Sequence, residues 1–86
     1  MTSPCIKSVE PLPDSLLRIT FANETVYVVD FKPLFDESPG LAPLRNPEDF
    51  SKVIVDERGY SVEWPDLDIQ IGADTLWLDA QAQNAA

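Results

Sequence analysis

Between Lys32 and Leu44 the chain places Pro33, Pro39, Gly40 and Pro43. Each proline lacks a backbone N–H and crowds the turn before it, so no long helix can cross this stretch. The run reads as a structured connection holding at most one helical turn, around Leu34 and Phe35. The core must then be assembled from short elements on either side of it. With 86 residues the chain is expected to be one domain, 1–86, with a frayed tail at 81–86, and a chain of this size buries only about 60 to 65% of its unfolded surface. Cys5 is the sole cysteine, so no intramolecular disulfide is available and packing alone must hold the domain.

Most of those short elements read as strands. Leu17, Ile19 and Phe21 alternate with Leu16, Arg18 and Thr20, the period of a strand with one buried face. Thr25 to Phe31 is rich in β-branched residues, and Ala22-Asn23-Glu24 forms the turn between the two, with Asn23 expected to take the positive φ. Cys5 to Val9 reads as an edge strand that stops at the Pro11-Leu12-Pro13-Asp14 turn. Val53 to Val55, Tyr60 to Trp64 and Asp68 to Ile71 supply three more strands, the first two joined at Gly59. Two helices complete the pattern. Asn46-Pro47-Glu48-Asp49 has an N-cap, a first-position proline and two acids in the first turn, and Asp74 is placed to cap a C-terminal helix carrying Leu76, Trp77 and Ala80. The expected class is α+β, mainly an antiparallel sheet of five to six short strands with one or two short helices.

Charge is unevenly spread over this scaffold. Residues 1–55 carry eight acids and five bases, while residues 56–86 carry seven acids (Asp56, Glu57, Glu63, Asp66, Asp68, Asp74, Asp79) against Arg58 alone. A net charge of −9 repels phosphate backbones and anionic lipid head groups, which argues against direct nucleic-acid or membrane binding. The start of the chain has neither a basic n-region nor an apolar h-region, so a cytoplasmic protein is expected.

The chemistry available is narrow. Histidine is absent, which removes Cys/His and Ser/His/Asp nucleophile systems. Asp66 to Gly72 resembles a calcium loop only in part: its glycine falls one place late, and Trp77 stands where a bidentate Glu belongs. An oxygen-only magnesium or calcium site on Asp66, Asp68 and Asp74 is the remaining metal candidate, set against the plainer reading of solvated turn and strand-edge acids. Trp64 and Trp77 read first as core anchors and second as partly exposed interface aromatics. Asp30 is expected to cap the turn beginning at Lys32.

The order of elements also resembles an uncharacterised bacterial family, domain of unknown function 2442. Phe21-Ala22-Asn23 leading to Val29-Asp30-Phe31 looks like its first hairpin. Pro33-Leu34, Leu44, Phe50, Val53, Val55-Asp56, Gly59, Trp64-Pro65, Asp68-Ile69 and Asp74-Thr75-Leu76 look like the remainder. Family members usually carry Gly where this chain has Glu24, and often a Gly near Leu67. The resemblance implies a small β-rich α+β domain with no established activity and no catalytic residues to carry over. Members often stand beside genes for another small domain, an arrangement that implies toxin and antitoxin pairs. A few append a helix-turn-helix; this chain stops at Ala86, so a DNA-reading role would require a partner.

The expected function is a non-enzymatic acidic interaction module that needs no cofactor and docks a basic partner protein, as the antitoxin-like half of a pair. Its expected surface is Glu63, Trp64, Asp66 and Asp68 around the Trp64-Pro65 turn. Two alternatives stand beside it: a small metal-dependent carboxylate enzyme using Glu63, Asp66, Asp68 or Asp74, and a structural homodimer, as opposed to a monomer, paired through the N-terminal edge strand.

Overall fold

The computed structural model describes residues 4–84. The alternating stretch forms β2 (Leu16–Phe21), flanked on either side by β1 (Ile6–Leu12) and β3 (Val26–Asp30) in an antiparallel sheet of order β1-β2-β3. Register places Leu17 opposite Val29 and Ile19 opposite Tyr27. Leu17, Ile19, Phe21 and Val29 thereby share one face and are fully buried.

Three local expectations change here. β1 continues through Pro11, paired with Leu17, to Leu12. An edge strand tolerates proline because an N–H on its outer side has no ladder partner to lose. The turn that follows, Pro13–Ser15, carries Asp14 and Ser15 at φ 66 and 62. In the next turn the positive φ falls on Glu24 (φ 70) and not on Asn23. Asn23 instead uses its side chain, whose Oδ1 accepts from the Thr25 N–H at 3.1 Å.

The proline-rich connection is more helical than its composition predicts. α1 (Lys32–Glu37) runs six residues, with Pro33 in its first turn, where a missing N–H costs nothing. A 3₁₀ stretch, Pro39–Arg45, follows it. Phe31 stands at the N-cap of α1, and Asp30, one residue before it, supports the turn that begins at Lys32, its Oδ1 accepting from the Lys32 N–H at 2.9 Å. α2 (Pro47–Phe50) starts as read from sequence, with Asn46 Oδ1 accepting from the Glu48 N–H at 2.9 Å.

A second antiparallel sheet has the order β4 (Ile54–Val55), β5 (Ser61–Trp64), β6 (Ile69–Gly72). The six expected strands thus fall into two three-stranded sheets. They meet where the Ile6 N–H donates to the Gly59 carbonyl at 2.7 Å. Gly59 has φ 74, and a Cβ there would stand 2.4 Å from the Ile6 carbonyl oxygen, so only glycine fits this junction.

The C-terminal helix α3 (Ala73–Gln83) begins one residue before Asp74, with Gly72 at the N-cap. Asp74 stands in the first turn, where its Oδ1 accepts from the Thr75 N–H at 2.9 Å. The tail expectation is also corrected. Gln81 donates to the Tyr27 hydroxyl at 2.9 Å, and Gln83 bonds the backbone of Asp30, so the helix is tied to β3 through Gln83. Residues 85–86 lie outside the described residues.

Phe31, Phe50 and Trp64 form the centre of the core, with ring centroids 5.3 to 5.9 Å apart. Trp64 also donates from Nε1 to the Phe50 carbonyl at 3.0 Å, which satisfies its polar atom inside the core. Trp77 packs edge-on against Phe21 and Tyr27, at 4.9 and 5.6 Å, and holds α3 against the first sheet.

Candidate functional site

Trp64 is 1% exposed, which removes it from any working surface; the core-anchor reading holds. The three acids expected to surround it diverge. Glu63 is half-buried on β5, with Ile54 and Gln70 as its cross-strand neighbours. Asp66 stands exposed on the 3₁₀ turn Pro65–Leu67, 4.0 Å from Lys52 Nζ. Asp68 ends that turn in the left-handed region at φ 55. Among the described residues no three Asp, Glu, His or Cys side chains are grouped to hold a metal, so Asp66, Asp68 and Asp74 do not form the ligand set that their spacing allowed.

Asp68 instead joins two acids that sequence spacing does not connect with it. A groove of about 500 Å³ runs along β6, bounded by α1 and its following 3₁₀ stretch on one side and by α3 at one end. Leu34, Leu41, Ile69 and Ile71 make its apolar lining, and Glu37, Asp68 and Asp79 are its charged residues. No Lys or Arg lines it. Burial raises the Asp79 carboxyl above its ordinary pKa, and the negative charge of Glu37 raises it further. A carboxylate held in partial burial beside another acid is a cost to the fold, and such costs gather at sites that meet a ligand.

Neither Glu37 nor Asp79 stands out in the sequence as a site residue. Glu37 ends α1 within the proline-rich stretch and Asp79 sits between Leu78 and Ala80, 42 positions on, so nothing local announces their meeting. The only available signal was their helical setting: Asp79 lies next to the buried Leu76–Ala80 stripe and is pulled partly inward with it.

Four aspartates belong to the motifs quoted for the family. Asp30, Asp56 and Asp74 each accept a backbone N–H in their own turn, from Lys32, Arg58 and Thr75 respectively. These three hold turns. Among the described residues Asp68 takes no comparable bond, and it is the one that lines the groove.

The family model described as "Protein of unknown function (DUF2442)" matches residues 6–82. The chain belongs to this family. The fold is shared with a crystal structure from Nitrosomonas europaea, of a protein named for a suspected role in DNA binding: TM-score 0.78 and 34% identity over 96% of this chain. The match takes in 54% of the Nitrosomonas chain, so the domain spans about half of that protein. A protein of unknown function from Rhodospirillum rubrum has the same fold at TM-score 0.70 and 17% identity, over 90% of this chain and 88% of its own. No curated protein matches the chain. In this chain the motif residues Phe21, Phe31, Leu34, Leu44, Phe50, Trp64 and Leu76 are all buried in the core. No helix among the described residues is long and apolar enough to cross a membrane.

Proposed function

We propose that this domain is a non-enzymatic docking module whose groove along β6 takes a basic segment of a partner protein. The observation that carries the reading is the groove's composition: apolar walls with Glu37, Asp68 and Asp79 and no cation of its own. A lysine or arginine entering there gains Coulomb attraction from three carboxylates, while its aliphatic stem packs on Leu34, Leu41 and Ile71. It also relieves the repulsion between Glu37 and Asp79. The surface is thereby moved from the Trp64-Pro65 turn to the groove that runs along β6 from Asp68 to Gly72, with Asp68 common to both.

An antitoxin-like role, in which a small basic protein is neutralised in a reducing cytoplasm, is the biological form this reading favours. The Nitrosomonas similarity fits the same picture. About half of that chain lies outside the matched domain, and contact with DNA is better assigned there than to a surface of net charge −9.

Titration calorimetry with a blocked heptapeptide alternating lysine and valine tests the proposal, with the glutamate-for-lysine peptide as control. The lysine peptide should bind, weaken as salt rises, and lose affinity at least about tenfold in the Glu37→Gln/Asp79→Asn double variant. Equal binding of both peptides, or an unchanged affinity in the double variant, would overturn the reading.

A further inference from the structure

The groove follows a strand edge, and the edge is open. Ala73 donates its N–H to the Tyr60 carbonyl at 2.7 Å, in the same register as the β5–β6 pairs Val62↔Ile71 and Trp64↔Ile69. In an antiparallel ladder such pairs alternate, so Ile69 and Ile71 direct their N–H and C=O groups at β5 while Gln70 directs both of its own away from it, into the groove. No other backbone or side-chain group among the described residues bonds them.

The edges of the first sheet are tied at single points, and among the described residues Val26 and Val28 on β3 stay open but stand outside the acidic groove. The β1 edge meets the 56–59 turn through the Ile6–Gly59 bond, beside β4. The outward N–H and C=O of Asp30, at the end of β3, are both taken by Gln83. At β6 the chain places apolar walls and three carboxylates beside the unpaired groups.

We infer that the partner segment enters the groove as an extended strand that adds to β6, exchanging two backbone hydrogen bonds with Gln70. This rests on the docking reading above and specifies its geometry. Strand addition draws affinity from main-chain bonds and specificity from alternate side chains. Cationic side chains on the inner side of the added strand lay their stems along the face carrying Ile69 and Ile71 and reach Glu37 and Asp79, as the docking reading requires. Side chains of the other parity stand beside Gln70 and Asp68, on the solvent face. The occupant is therefore an extended basic segment in which aliphatic and cationic residues alternate. A helical basic segment has its backbone groups already paired and leaves Gln70 unsatisfied.

The test uses the same lysine–valine heptapeptide N-methylated at alternate residues, prepared in both phases: on the valines or on the lysines. Charge is the same in all three peptides, and each phase blocks one edge of the peptide strand. One phase should lose affinity at least about tenfold while the other binds like the parent. Hydrogen exchange of the Gln70 amide should slow in the parent complex, and Gln70→Pro, which an edge position tolerates, should weaken the parent peptide by a similar factor. Both phases binding alike, with the Gln70 amide exchanging as in the free protein, would overturn strand addition and leave the charged groove standing. Protection appearing at Val26 and Val28 would move the added strand to the β3 edge and overturn it as well. Failure of the unmethylated peptide to bind at low salt would remove the docking reading itself, and strand addition with it.

Discussion

Gln83 on α3 holds the backbone of Asp30 at the edge of β3 from both sides: its Oε1 accepts from the Asp30 N–H at 2.8 Å, and its Nε2 donates to the Asp30 carbonyl at 2.9 Å. One carboxamide thus replaces the neighbour strand that this edge lacks. It does so at the residue whose own side chain accepts the first N–H of α1, from Lys32. The last turn of α3, the edge of the first sheet and the start of the proline-rich connection are joined at one point.

Gln83→Ala should therefore do more than shorten a tail. Losing two hydrogen bonds at an accessible site is expected to cost about 1 kcal/mol of unfolding free energy. Urea denaturation gives the size, and faster exchange of the Asp30 amide locates the effect. An Asp30 amide exchanging at its original rate would show that the clamp is not formed in solution.

Gly59→Ala is the most damaging single change expected. The left-handed backbone alone costs about 1 to 2 kcal/mol for a residue with a Cβ. The overlap with the Ile6 carbonyl adds to that, because the colliding atom is backbone and forms the junction between the sheets. A drop in urea midpoint larger than that of Gln83→Ala is expected, and a smaller one would refute the steric argument.

Glu24→Gly should stabilise the domain. Glu24 holds φ 70 and gains only a solvent-exposed pair with Lys7, 3.2 Å away, which is worth little. Relief of the left-handed strain, about 1 kcal/mol, exceeds the added chain entropy of glycine, so a net gain of roughly 0.5 kcal/mol is expected. Calorimetric melting checks the sign.

Asp79 makes stability depend on pH in a direction opposite to the usual carboxylate. Its folded pKa is raised, by burial first and by Glu37 second, so the folded state holds the Asp79 proton more readily than the unfolded chain does. The resulting penalty is present in full above the folded pKa. It fades as pH falls through that value and is gone below the ordinary aspartate range. Asp79→Asn should accordingly be more stable than the parent at neutral pH and lose that advantage in acid. Urea midpoints measured from pH 7 downward test this, and a difference that grows toward acid would reverse the assignment.

The elements legible in the residues were those governed by neighbours along the chain. Leu17, Ile19 and Phe21 announce a strand by period alone; Asn46-Pro47 starts a helix because its cap and its missing N–H act within one turn; Gly59 marks a turn because few other residues tolerate its φ. The α+β class and the family follow from that order of elements. Local rules also explain the misreadings. Pro11 suggests the end of β1 by local rules, but its cost depends on whether the strand lies at an edge, and propensity favours Asn23 over Glu24 for a positive φ that the closing of the hairpin assigns to Glu24. Where the acids gather is a different kind of fact. Glu37, Asp68 and Asp79 are brought to one groove by the packing of α1, β6 and α3, and pairing partners decide that Gln70 faces outward while Trp64 faces in. Contacts between residues tens of positions apart leave no period and no spacing in a single chain, so the charge of this domain could be counted from its residues but placed only by its fold.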